Sequence, residues 1–152
     1  MTDEFDRIEK QIDIAAAADR VWSLISEPGW YINDKAIRDH RIERVGDVDI
    51  VHDPVHGAFA FRTVTLDPPR YAAFRWIADS AEVDGPSTLV EFWIDETGSD
   101  SVVLKVVESG FASLPGDAAE RRRKFDDNTE GWTIELGVAK DHLEDVQFDV
   151  RS

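Results

Sequence analysis

Glu108 is the polar residue whose position says most about the chemistry of this sequence. Apolar residues alternate over residues 102–106, as on the inward face of a β-strand, and Glu108 is next in that register. An inward carboxylate needs a partner, since an unpaired buried charge is costly. Glu108 is therefore the main acid/base candidate and a candidate contact for a ligand's polar group. The interpretation that we favour is structural, with an arginine or backbone amides as its partners.

Large aromatic side chains recur at alternate positions in three consecutive strand-like segments, so each series faces one side of its strand. Trp30 and Tyr31 precede these segments in an irregular stretch, where they form either a lid or a plug at the end of a core. Such series are ordinary core in most proteins, and they are also the apolar walls that a small-molecule cavity against the last helix would need. The residues predicted to line it are Trp30, Tyr31, Phe59, Phe61, Phe74, Trp76, Phe92, Glu108, Trp132 and Leu136.

Other candidate sites receive less support from the residue pattern. His52 and His56 lie about 13 Å apart on a strand, and Pro54 between them prevents a helix, so we expect no metal site. The basic residues 121–124 are flanked by acidic residues, which favours a solvated helix face over an anion site. No Gly-x-Ser-x-Gly motif supports a serine nucleophile, and we expect no cofactor.

Composition narrows the class of protein further. The 152 residues, 42% of them hydrophobic, suit one domain spanning residues 1–152. The net charge of -15 disfavours nucleic acid and anionic membrane surfaces as partners. The sequence contains no cysteine, which excludes disulfides, thiolate metal sites and a cysteine nucleophile. Because it has neither a signal-like start nor an apolar run long enough to cross a bilayer, we expect no membrane insertion and a cytoplasmic location.

Hydrophobic periodicity predicts an α+β order of elements, with the helices on one face of an antiparallel meander. A strand over residues 7–14 precedes a short helix over residues 15–26, which Pro28 and Gly29 terminate. Short connections then join the remaining strands, predicted over residues 42–45, 48–51, 58–66, 71–78, 88–94 and 102–108.

One long amphipathic helix is predicted over residues 117–145. Asp117 and Glu120 have the spacing of a reciprocal N-terminal cap. Gly131 and Gly137 lie inside this helix at a cost of about 1 kcal/mol each, and tight packing on a strand is favoured over a bound ligand as the reason. The apolar stripe consists of Phe125, Trp132, Leu136, Ala139, Leu143 and Val146.

Several short motifs, in order and spacing, resemble the START-like (SRPBCC) superfamily, and in particular the branch related to the activator of the heat-shock protein 90 ATPase. The motifs are Ile12-Asp-Ile-Ala, Arg20-Val-Trp, Thr65-Leu-Asp-Pro-Pro-Arg-Tyr, Phe74-Arg-Trp, Thr88-Leu-Val-Glu-Phe, Glu108-Ser-Gly-Phe and Glu130-Gly-Trp. The resemblance implies a helix-grip fold: a curved antiparallel sheet wrapped around a long C-terminal helix, two short helices after the first strand, and a deep cavity between sheet and helix. Relatives often carry a histidine where this chain has Glu108, so that histidine's contacts are not transferred.

The resemblance implies several functions. We favour binding of a hydrophobic or aromatic small molecule in the cavity, without catalysis. The first alternative is an enzyme of the polyketide cyclase or aromatase type, in which Glu108 with Tyr31 or a histidine moves protons. The second is a heat-shock protein 90 co-chaperone-like protein that acts through its surface, although its eukaryotic members carry a further domain. The oligomeric state is expected to be a monomer or a homodimer.

Overall fold

The computed structural model describes residues 7–32, 37, 40–79, 81–82 and 84–151, with side chains in the last helix up to residue 144. Its elements follow the predicted order. They are β1 (Arg7–Ile14), α1 (Ala18–Ile25), β2 (Arg41–Val45), β3 (Val48–Asp53), β4 (Gly57–Asp67), β5 (Tyr71–Ile77), β6 (Ser87–Gly98), β7 (Ser101–Ser109), a short 3-10 helix (Phe111–Ser113) and α2 (Ala118–Arg151).

The seven strands form one curved antiparallel sheet in the order β1-β7-β6-β5-β4-β3-β2. Successive strands from β2 to β7 are neighbours, because short connections favour antiparallel hairpins. The predicted adjacency of residues 88–94 and 102–108 is confirmed, with Val90 opposite Glu108. The first strand pairs with the last, and Ile8 lies opposite Glu108 on the other side. β7 is therefore an interior strand of the sheet.

The predicted start of α2 is confirmed by a reciprocal cap. Asp117 Oδ1 accepts a hydrogen bond from the Glu120 backbone N–H at 2.8 Å, and the Asp117 backbone N–H donates to Glu120 Oε1 at 3.2 Å. Along the predicted stripe, Phe125 is half-buried, the Val146 side chain lies outside the described residues, and the buried members are Trp132, Leu136, Ala139 and Leu143. The helix thus presents one apolar face to the sheet.

The second half of α2 is held against the end of β1 by polar contacts. Lys140 Nζ donates to the Asp13 carbonyl oxygen at 2.8 Å. Glu144 Oε2 accepts from the Ala15 backbone N–H at 2.8 Å and lies 2.7 Å from Lys140 Nζ. The helix therefore contacts the sheet edge as well as the inner face.

Two details of the prediction differ from the structure. Of the two short helices expected after β1, the described residues contain one, α1. Tight packing at the helix glycines is wrong: an added Cβ at Gly131 or Gly137 would meet nothing within 4 Å. None of the described helices is both long and apolar enough to span a membrane.

Truncation of Trp132 tests the packing of α2 on the sheet. Its side chain is 3% exposed, so Trp132→Ala should lower the free energy of unfolding by about 3–5 kcal/mol through lost burial and a cavity. Ile134, two residues further on, is 50% exposed, so Ile134→Ala should lose less than about 1 kcal/mol. Urea denaturation measures both. A loss below about 1 kcal/mol for Trp132→Ala would contradict a core role for the indole.

Candidate functional site

Glu108 lies at the end of β7, 1% exposed, between the sheet and α2. Its Oε2 accepts a hydrogen bond from Thr88 Oγ1 at 2.6 Å. Its Oε1 accepts from Asn128 Nδ2 at 3.0 Å and from Trp132 Nε1 at 2.8 Å. Thr88 belongs to β6 and the other two donors belong to α2, so this one carboxyl group joins the sheet to the helix.

The inward orientation predicted for Glu108 is confirmed, but the predicted partners are not those found. The partners found are an alcohol, an amide and an indole, in place of an arginine or backbone amides. Burial raises the pKa of Glu108, while the hydrogen bonds from Thr88, Trp132 and Asn128 and the charge of Lys124 oppose that rise. The group is therefore a carboxyl whose ionised form is stabilised mainly by neutral donors.

A pocket of about 280 Å³ lies beside Glu108, where the first turns of α2 cross the sheet. Glu108 and Thr88 supply polar groups from the strands, and Lys124 Nζ lies 5.7 Å from the centroid of the Trp76 ring. We call this the first pocket. Its lining consists of Phe59, Trp76, Ile77, Ala78, Thr88, Glu108, Leu114, Pro115, Glu120, Arg121 and Lys124.

A second pocket of about 150 Å³ lies further along α2 and shares Trp76 with the first. Its lining consists of Tyr31, Trp76, Asn128, Gly131, Trp132 and Glu135. The ring of Tyr31 packs 4.6 Å from Trp132 and 5.1 Å from Trp76, measured between centroids. Burial and, to a lesser extent, the charge of Glu108 raise the pKa of Tyr31 well above 10.0, so the phenol remains a neutral hydrogen-bond donor.

The structure brings some of the predicted lining residues to these pockets and places the others behind them. Phe59, Trp76 and Glu108 line the first pocket, and Tyr31, Trp76 and Trp132 line the second. The remaining predicted residues line neither pocket and are buried in the core: Trp30, Phe61, Phe74, Phe92 and Leu136. Ring contacts connect this layer to the pockets, since Phe61 stacks on Trp76 at 5.8 Å.

Sequence reasoning missed Thr88, Asn128 and Lys124. Thr88 shares the inward face of β6 with the buried Val90, so an inward hydroxyl was a visible signal. Asn128 lies four residues before Trp132 and hence one turn away on the same helix face. Lys124 was assigned with its neighbours to a solvated face. It is exposed, but it also lines the first pocket.

Neither histidine of the 52–56 segment joins a metal-like cluster. His52 Nε2 lies 3.1 Å from Glu43 Oε1 on the neighbouring strand. Among the residues described, no group of three or more histidine and acidic side chains is placed to hold a metal ion. In the basic segment, Arg122 forms the predicted i to i+4 ion pair with Asp126 at 3.1 Å.

Comparison with known proteins identifies similar structures, whereas no protein-family profile and no curated protein matches the sequence. XoxI from Bacillus cereus superposes with a TM-score of 0.66 at 14% identity, over 93% of this chain and 98% of that one. The Aha1 dimer from Colwellia psychrerythraea superposes with a TM-score of 0.63 at 17% identity, over 91% of this chain and 96% of that one. CalU16 from Micromonospora echinospora superposes with a TM-score of 0.61 at 16% identity, over 89% of this chain and 72% of that one.

At such low identity these likenesses establish the fold alone. The fold is a helix-grip fold, in which a seven-stranded curved sheet holds a long C-terminal helix, as the resemblance to START-like proteins implies. Proteins of one fold differ widely in activity, so function has to be argued from the two pockets and from Glu108.

The protonation of Glu108 can be measured directly. Carboxyl NMR titration should give a pKa above the ordinary value of 4.5, because burial outweighs the three donors. In Thr88→Val the carboxylate loses the Thr88 hydroxyl, so the pKa should rise further. A wild-type pKa at or below 4.5 would mean that the carboxyl is solvated or paired with a cation.

Replacement of Glu108 by glutamine tests how the raised pKa of Glu108 affects the stability of the protein. Because its pKa is raised, Glu108 binds more protons in the folded state than in the unfolded state above pH 4.5. Its contribution to the stability of the folded state is therefore largest below that pH and falls as pH rises through the folded-state pKa. Gln retains an acceptor for Asn128 and Trp132 and can donate to Thr88. The stability of Glu108→Gln relative to wild type should therefore increase from pH 4.5 to neutral pH. The measurement is urea unfolding of both proteins across this pH range. A difference in unfolding free energy that stays constant with pH would contradict the prediction.

Proposed function

We propose that this protein binds a small, mostly apolar molecule with an aromatic body in the first pocket, without chemical change. The observation that carries the proposal is the combination of apolar walls with two polar groups that hold each other in place. Phe59, Trp76 and Leu114 supply apolar surface, while Thr88 and Glu108 supply hydrogen-bonding atoms held in place by their mutual contact. Concave, mainly apolar sites with a few placed polar groups are typical of small-molecule recognition.

The size of the pocket limits the ligand. About 280 Å³ is near the lower end of the usual range of roughly 300–1,000 Å³, so the buried part is the size of one or two fused rings. A ligand that loses about 250 Å² of apolar surface gains on the order of 6 kcal/mol before association costs are subtracted. Micromolar affinity is consistent with that balance.

The charged residues at the start of α2 shape the mouth of this pocket. Arg121 and Lys124 line it together with Glu120, so cationic and anionic groups stand close to each other. Arg121 donates to the Gly116 carbonyl oxygen, which orients its guanidinium at the helix start. We propose that the mouth admits a ligand with a polar end, whereas its apolar body contacts Phe59 and Trp76.

Ligand screening with matched tryptophan variants tests the proposal. Fatty acids, flavonoids and polycyclic aromatics are titrated by intrinsic fluorescence and calorimetry. Trp76→Phe should weaken binding and reduce the fluorescence response. Trp93→Phe is the control, because Trp93 packs against Tyr71 and Lys105 and lines neither pocket.

Failure of this screen would favour a different class of function. If no compound saturates the protein below about 100 μM, which is equivalent to roughly 5–6 kcal/mol of binding free energy, the proposal of small-molecule binding in the first pocket is wrong. A role that depends on the surface of the protein, as in a heat-shock protein 90 co-chaperone-like protein, would then be the favoured alternative. The structural likeness to Aha1 supports keeping that alternative, and because that neighbour is a dimer, light scattering on this protein belongs in the same experiment.

A cyclase-like enzyme is the second candidate, favoured by a carboxyl group of raised pKa at the first pocket. A carboxyl of raised pKa keeps its proton to higher pH than an ordinary glutamate, and in that form it can donate the proton to a bound carbonyl compound and recover it afterwards. The discriminating experiment is mass spectrometry of any ligand found in the screen after incubation with wild type and with Glu108→Gln. Product formation by wild type alone would establish catalysis, and an unchanged ligand would leave binding as the function.

A further inference from the structure

Tyr31, one of the residues that line the second pocket, carries a buried hydroxyl group. Tyr31 is 5% exposed, and its hydroxyl is buried without a hydrogen-bond partner among the described residues. A buried donor without a partner is unfavourable, and because this donor belongs to a residue that lines the second pocket, it points to a role outside folding. Burial and the nearby charge of Glu108 keep the phenol neutral, and it is therefore available as a donor.

Gly131 gives this pocket its depth. A Cβ at this position would meet nothing within 4 Å, so the glycine is not required by close packing. Gly inside a helix lowers stability relative to Ala, and here it leaves space between α2 and Trp76 that a side chain would fill. The helix thus carries an unfavourable residue at a point where it lines a pocket.

The two pockets follow one flank of α2. Lys124 lines the first, while Asn128, Gly131 and Glu135 line the second, at spacings of four, three and four residues. At about 1.5 Å per residue, this flank is roughly 16 Å long from Lys124 to Glu135. Trp76 contributes to both pockets, so a ligand that passes its ring can occupy both.

We propose that the second pocket is a subsite for a flat ring bearing a neutral carbonyl oxygen, which accepts a hydrogen bond from Tyr31 Oη while Trp76 and Trp132 contact the ring. The subsite continues the first pocket along α2, and in this respect it rests on the proposed function. It selects a class of ligand, aromatic or conjugated ketones and related carbonyl compounds.

Charge decides between a neutral and an ionised acceptor. Glu135 lines this pocket, and the carboxyl group of Glu108 is near enough to influence Tyr31. In their ionised forms these two groups repel a carboxylate or phosphate. A ketone oxygen accepts from the phenol without bringing a negative charge next to them.

The test uses two probes of one shape, 1-tetralone and tetralin, which differ by the carbonyl oxygen. Binding is followed through the indole N–H signals of Trp76 and Trp132 in NMR titrations. In wild type, the hydrogen bond from the Tyr31 hydroxyl should lower the Kd of 1-tetralone relative to that of tetralin. In Tyr31→Phe, the ratio of the tetralin Kd to the tetralone Kd should therefore fall about three- to tenfold. Tyr31→Phe should fold normally, because the hydroxyl that it removes has no hydrogen-bond partner among the described residues.

A pair of glycine variants locates the probes. Gly131→Leu places a side chain in the second pocket and should weaken both probes at least tenfold. Gly137→Leu is the matched control: it makes the same change in the same helix, also into open space, but Gly137 lines neither pocket. It should leave both affinities unchanged, and circular dichroism checks that both variants fold.

Three results would overturn the subsite. They are an unchanged affinity ratio in Tyr31→Phe, unchanged binding in Gly131→Leu, and no movement of the Trp132 indole signal by either probe at millimolar concentrations. Each leaves binding in the first pocket intact if the Trp76-dependent ligand of the screen still binds. Conversely, tetralone binding that depends on Tyr31 and Gly131 supports the subsite even if the wider screen finds no ligand for the first pocket.

Discussion

A carboxyl group buried between a sheet and a helix is the constraint on which this structure depends. Glu108 receives one donor from β6 and two from successive turns of α2, and the two contacts from α2 require the helix to lie at one height and one rotation over the sheet. Apolar packing alone tolerates small shifts of a helix along its axis, whereas hydrogen bonds to a buried carboxyl do not. Glu108 thereby converts a general apolar contact into a specific one.

The same constraint creates the space beside it. The hydrogen-bonded residues fix α2 at its middle, and Lys140 and Glu144 fix the later turns to β1 and to the residue after it. The first pocket lies beneath the early turns, where Glu120, Arg121 and Lys124 line it. A helix held firmly at its middle and later turns can leave a cavity under its start without losing its position.

The fold was predictable from the sequence because its signals are periodic. Alternation located β1 with its exact ends, and in β7 it also placed Glu108 on the inward face. Alternation and helix spacing place Thr88 and Asn128 on inward faces, but their pairing with Glu108 was not predictable, because the sequence does not show which residues meet when two elements are brought together. Gly131 was misinterpreted for a related reason: a glycine signals a missing side chain, but the sequence does not tell whether backbone or empty space takes its place.

The pairing of β1 with β7 has a consequence for how the chain reaches this fold during synthesis. Ile8 and Glu108 face each other although roughly 100 residues separate them, so β1 emerges from the ribosome long before its partner strand exists. The two residues of β1 that become buried, Ile8 and Ile14, stay unpaired until β7 is made, and Glu108 obtains its helix donors later still. The meander from β2 to β7 can form hairpin by hairpin, but closure of the sheet and burial of its carboxyl group are late events that depend on almost the whole chain.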